Sequence, residues 1–257
     1  LNEDVMSMPE IKVADIGLPV LNEALMGGVP RGYTILLGGS PGSGMELFAK
    51  QFAAAGIGKE KVVYFTTTER DEDILTTMRE FNWPTDMKIV NIGQEYYTKV
   101  LEKELLISRY RQEGVPLEYI LESSSRGVGE REVNFLTRVT YEVSNLTPPF
   151  RIVLDSLDFF LEHYEHSKVL SALRTIKAHT QYNESVSLVT MLTNVYSTAT
   201  QSGVEEIVDI IIELEMQRKE RGFEKYLVVK KVRNHPEKTG VFKYYVNSTG
   251  IRLERIE

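Results

Sequence analysis

Tyr33-Thr34-Ile35-Leu36-Leu37-Gly38-Gly39-Ser40-Pro41-Gly42-Ser43-Gly44-Met45-Glu46 is the stretch whose reading decides the fold. Residues 33–37 form a short apolar run, the glycines make a tight loop, and an amphipathic stretch from residue 46 follows. Strand, glycine loop and helix in this order build a phosphate cradle, with converging backbone N–H groups and the positive end of a helix. A working cradle also needs a lysine for the β- and γ-phosphates and a Ser or Thr for magnesium. Met45 and Glu46 hold those two positions. Methionine donates no hydrogen bond and no charge, and glutamate brings a carboxylate where an anion would sit. ATP and magnesium are therefore disfavoured as cofactors. Ser43 and Glu46 have the S-x-x-E spacing of a capping box, which predicts a loop turned into a structural helix start. The nearest lysine, Lys50, lies about 140° round the helix from Met45 and is poorly aimed to replace the missing charge.

Outward from the loop, apolar runs alternate with amphipathic stretches, the pattern of a largely parallel sheet between helices. Strands are predicted over 33–37, 62–67, 88–92, 151–154, 187–193, 210–216, 226–233 and 242–246. The last of these leave no room for crossover helices and predict an antiparallel edge. Helices are predicted over 46–55, 73–81, 97–111, 130–144 and 167–182, and excursions over 113–129 and 197–203. A single α/β domain over residues 1–257 is expected from this length.

Composition narrows the function. No apolar run reaches the roughly 20 residues of a membrane span, and the amino end carries acids where a secretory leader is basic. A cytoplasmic protein without membrane attachment is expected. The sequence has no cysteine and four scattered histidines, so no metal site is expected. Thirty basic against thirty-seven acidic residues give a net charge of −7, which disfavours nucleic acid as a partner. Arg109-Tyr110-Arg111 and Arg218-Lys219-Glu220-Arg221 are only locally basic.

With the loop in view, the chain resembles the KaiC-like branch of the RecA superfamily. Ile16-Gly17-Leu18-Pro19 through Arg31-Gly32 is similar to that family's opening motif. Val62-Val63-Tyr64-Phe65-Thr66-Thr67-Thr68-Glu69, followed by Asp73-Ile74-Leu75 and Phe81-Asn82-Trp83, is similar to its second strand and helix. The resemblance implies a three-layer RecA-like P-loop fold with a degenerate Walker A loop, Gly39, Ser40, Pro41, Gly42, Ser43, Gly44, Met45 and Glu46. It places the family's pair of water-activating glutamates at Thr68 and Glu69, so one carboxylate remains; the alternative is a strand-end residue that caps the next helix or pairs with Arg70. Arg151-Ile152-Val153-Leu154-Asp155-Ser156 resembles a Walker B strand, with Asp155 either orienting magnesium or making a structural hydrogen bond. Thr193 and Asn194 stand where the family places a polar sensor. Lys231-Val232-Arg233 resembles the K-x-R element that reaches a neighbouring subunit's γ-phosphate. The alternatives are a solvated strand bearing Lys230, Lys231 and Arg233, or fingers that pair with a neighbour's Glu46.

Three functions follow from these residues. The first is a catalytically silent module that binds a protein partner, a peptide at an edge or groove, or further copies of itself as a homo-oligomer. The second is an ATP-binding protein or slow ATPase with Glu69 and Asp155 as vestigial catalytic groups, and the third a DNA-associated recombinase relative. Phe159, Phe160 and Tyr164 are a candidate surface, although such aromatic clusters more often form core.

Overall fold

Ile35, Leu36 and Leu37 have no polar alternate, so a strand through them must be covered on both faces. The computed structural model describes residues 12–112, 134–220 and 222–256 and shows this cover. Among the described residues eleven strands are formed: β1 (Val13–Ala14), β2 (Val29–Pro30), β3 (Thr34–Gly39), β4 (Lys61–Thr66), β5 (Lys88–Asn91), β6 (Phe150–Asp155), β7 (Val186–Leu192), β8 (Ile210–Lys219), β9 (Gly222–Val232), β10 (Gly240–Asn247) and β11 (Gly250–Arg255). β1 and β2 pair with each other, and the other nine form one sheet in the order β11-β10-β9-β8-β3-β7-β6-β4-β5. From β8 to β5 all pairs are parallel. The pairs among β8, β9, β10 and β11 are antiparallel. The expected antiparallel edge is present, with one further strand, β11, that the sequence reading did not find.

The helices are α1 (Pro19–Ala24), α2 (Met45–Gly56), α3 (Asp71–Glu80), α4 (Ile92–Tyr96), α5 (Glu102–Gln112), α6 (Phe135–Ser144), α7 (Asp158–His163), α8 (His166–Tyr182) and α9 (Thr198–Ile207), with a π-helical turn, Tyr97–Leu101, between α4 and α5. Ile35 and Leu37 face one apolar cluster with Phe48 and Phe52 of α2 and Ile74 and Met78 of α3. Leu36 faces the other with Phe135, Phe160, Leu173 and Val204 from α6 to α9. The result is the expected three-layer α/β arrangement. Each phenylalanine so buried contributes about 2–3 kcal/mol of apolar burial.

Three sequence expectations need correction. Residues 197–203 are not an excursion: the Ser197 side chain accepts from Thr200 N and starts α9, whose Thr200, Val204 and Ile207 are buried at helical spacing. The helix expected over 97–111 starts earlier, where Asn91 accepts from Gln94 N. Phe160 is buried and Phe159 packs edge-on against Tyr96 and Phe135, so this aromatic group is core and not a surface. The predicted excursion over 113–129, and residues 130–133 of the helix expected over 130–144, lie outside the described residues.

Candidate functional site

β3 is central, flanked by β7 and β8, and the loop from its carboxyl end enters α2. In open α/β sheets this is the end where ligands bind. Gly42 and Gly44 adopt φ of +83° and +90°, a region only glycine enters without strain. At Gly39 a methyl group would lie 2.5 Å from Ser43 Oγ and 3.0 Å from Met45 Cγ. The methionine is buried and folded back onto the loop, with its thioether sulfur beside Gly39.

The predicted capping box does not form. The N-cap is Gly44, in the left-handed region, and no side chain caps the helix there. Glu46 is then the second helical residue and not the third, the position from which a capping glutamate reaches back. It is exposed, in the first turn of α2, where its charge still complements the helix dipole. Ser43 Oγ is buried with no hydrogen-bond partner among the described residues. The loop is held instead from the far end of the chain: Tyr244 of β10 donates its hydroxyl to Ser43 O at 2.6 Å. Burial, and then the charge of Glu46, push the Tyr244 phenol up to about 12.

Asp155 ends β6 and is nearly buried. Tyr64 of β4 donates to its Oδ2 and Thr190 of β7 to its Oδ1, both at 2.7 Å. Its carboxylate is thus bound sideways by the two flanking strands. Burial and the adjacent Asp155 charge raise the Tyr64 phenol well above its ordinary value, so it stays a donor.

Glu69 lies just beyond β4 and meets Lys50, whose Nζ donates to Oε1 at 2.6 Å and to Glu46 O at 3.3 Å. The expected partner of Glu69, Arg70, is turned to Asp73 instead. The charged partner of Lys50 is therefore at the end of β4, and its second acceptor is the backbone of Glu46 at the close of the loop. Glu69 also lines an open cavity of about 520 Å³ with Thr67, Thr68, Arg70, Asp71 and Asn91. Thr193, the sensor candidate, donates its N–H to Gly39 O at 3.0 Å.

Lys231 and Arg233 lie at the opposite end of the sheet. Lys231 Nζ donates to Glu205 O and Val208 O at 2.6 and 2.8 Å. Arg233 binds Asp209 Oδ1 at 2.5 Å and reaches Glu206 O at 3.1 Å. Both cations cap the carboxyl end of α9, where the helix dipole favours positive charge. Asp209, 2% exposed, is shared with Lys177 and also accepts from Thr34 N at the start of β3. Burial, then the neighbouring Arg233 charge, lower the Lys231 ammonium. Of the alternatives for this strand, only Lys230 meets the solvated description, paired with Glu213 near the surface.

The phosphate loop, Glu69, Asp155 and Thr193 all lie at the carboxyl ends of the parallel strands, the crevice end of the sheet, and Lys231 and Arg233 lie at the opposite end; of the four, only Glu69 lines the cavity beside β4 and β5. Sequence reasoning missed Lys50, Tyr64 and Tyr244 as members of the site. The signal for Lys50 was a lysine inside the buried run Phe48-Ala49-Lys50-Gln51-Phe52. The donor set for magnesium ATP is not assembled in this crevice. The loop offers no ammonium and no hydroxyl at residues 45 and 46, Asp155 is bound by two neutral donors, and Glu69 by an internal cation. Among the described residues no group of three or more acids and histidines stands ready for a metal ion.

A mostly parallel sheet with a glycine loop at the carboxyl end of its central strand and an antiparallel edge defines a RecA-like P-loop domain. A family model described as "ATPase: KaiC" matches residues 14–257, and the chain belongs to that family. The circadian clock oscillator protein KaiC of Parathermosynechococcus lividus is 24% identical over 259 residues, 97% of this chain and 44% of its own length. A UPF0273 protein of Methanocaldococcus jannaschii is 33% identical over 75 residues, 28% of this chain and 31% of its own. The crystal structure of a KaiC-like protein from Pyrococcus horikoshii OT3 matches with a TM-score of 0.65 at 21% identity, over 95% of this chain and 99% of that one. The chain spans less than half the length of the clock protein it matches.

Proposed function

We propose that this chain is a KaiC-family domain that does not hydrolyse ATP and serves as a binding or regulatory module, through a protein partner or through association with its own copies. The observation that carries the reading is the buried Met45 folded against Gly39, with exposed Glu46 beside it. The two side chains on which phosphate and magnesium depend are replaced by an apolar filler and a like charge. For association, the antiparallel edge offers a face bearing Val241 and Tyr245, 49% and 44% exposed, on the side of β10 opposite buried Phe242 and Tyr244. Alternation along the strand puts Lys243, paired with Glu224, between Val241 and Tyr245 on the same face. The test is a titration of the Met45→Lys/Glu46→Thr protein with magnesium ATP. At least a tenfold gain in affinity over the unmodified chain is expected, and no gain refutes the assignment of these two residues.

A second reading, phosphate binding through backbone groups alone, is favoured by one observation: α2 begins at Gly44 with no side-chain cap. Its signature is ATP affinity that is insensitive to magnesium.

A further inference from the structure

Lys50 is the one lysine that is buried among the described residues, its side chain 1% exposed within an apolar stretch of α2. Its ammonium has two acceptors, Glu69 Oε1 at 2.6 Å and Glu46 O at 3.3 Å, and only the first carries charge. A buried ammonium that loses its carboxylate is strongly disfavoured. Glu69 differs: its side chain is 26% exposed and borders the open cavity at the carboxyl ends of β4 and β5. The pair therefore joins the core to the crevice, and Lys50 needs Glu69 more than Glu69 needs Lys50.

We propose that Lys50 is an internal lock, a positioning residue that holds Glu69, the carboxylate at the end of β4, in an ion pair and withholds it from any ligand there. The inference rests on the reading that the phosphate loop is silent, and it adds a second block independent of the first. Met45 and Glu46 act at the loop, while Lys50 acts across 19 residues at the end of β4. Repair of the loop then restores binding without turnover, because Glu69 remains tied to the core. Thr66 fixes the lock's far side, since its Oγ1 accepts from Glu69 N at 3.1 Å and sets where the carboxylate leaves the strand.

Two measurements on the full chain test this. In the first, urea midpoints are compared for the unmodified protein, Lys50→Met, Glu69→Gln and the double variant. The lock predicts that Glu69→Gln lowers the midpoint more than Lys50→Met does, and that adding Lys50→Met to Glu69→Gln raises it again. Additive shifts overturn the proposal. In the second, phosphate release from magnesium ATP is compared for Met45→Lys/Glu46→Thr with and without Lys50→Met, with Lys50→Leu as the alternative should the methionine variant misfold. The expected result is at least tenfold faster release when Lys50 is removed, with the gain abolished by Glu69→Gln. Equal rates overturn the lock. Failure of the repaired protein to bind ATP at all refutes the loop reading instead, and the midpoint cycle still decides the lock.

Discussion

Tyr244 and Arg151 show how single side chains fix the loop and the sheet beneath it. Tyr244 holds the Ser43 carbonyl across 201 residues of sequence, so Tyr244→Phe is expected to cost about 1 kcal/mol. The sign of its pH dependence follows from its raised phenol, about 12 against an ordinary 10. The protonated form is favoured in the fold, so this stability is complete below pH 10 and is lost as pH rises toward 12. Urea midpoints of the unmodified protein should fall along that alkaline limb, and Tyr244→Phe should lack this part of the fall. Arg151 is fully buried and stacks over Phe52. Its carboxylate partner is Glu60, which Arg31 also contacts. Glu60→Gln leaves a buried guanidinium without its counter-charge and should cost about 3–5 kcal/mol in denaturant unfolding. A loss below 1 kcal/mol would show that water reaches this cluster.

At the level of elements, α9 gives the clearest prediction. Its cap is Ser197 Oγ on Thr200 N, and Ser197→Ala should cost about 1 kcal/mol by thermal unfolding. The same segment shows where the sequence stops being legible. Thr198-Ala199-Thr200-Gln201-Ser202-Gly203 is polar, with a glycine of low helix propensity, and only Thr200 of the six is buried, the apolar Val204 and Ile207 following it. Packing against α8 and capping by Lys231 and Arg233 from a distant strand decide its structure. The parallel strands were legible for the opposite reason: their apolar runs, buried on two faces, carry their own signal. β11 was hidden because Arg252 and Glu254 interrupt it, and because its pairing depends on β10 and on Gln51, which binds Ile251 N and O. In the site, the loss of lysine and hydroxyl at residues 45 and 46 was plain from spacing. The Ser43 capping box failed by one residue, since a left-handed Gly44 moves the helix start. The Lys50–Glu69 pair was invisible along the helix alone, because it joins two elements that only the sheet order brings together.

At the scale of the whole molecule, the sheet separates two charged centres. The crevice of the phosphate loop lies at the carboxyl end of β3, and Asp209 with Lys177 and Arg233 lies at its amino end. A trans finger would require Lys231 and Arg233 to leave α9, so Arg233→Ala is expected to lower stability while leaving the state of association unchanged. If association uses the outer face of β10, Tyr245→Glu should shift sedimentation toward the smaller species. No shift would exclude that face. No helix among the described residues is long and apolar enough to cross a membrane. The family's fold is retained, and the proposal is that Met45 and Glu46 leave its loop without phosphate-binding side chains. It is tested most directly by calorimetric titration of the unmodified protein with ATP, with and without magnesium. The account predicts no saturable magnesium-dependent heat, and tight magnesium-dependent binding would contradict it.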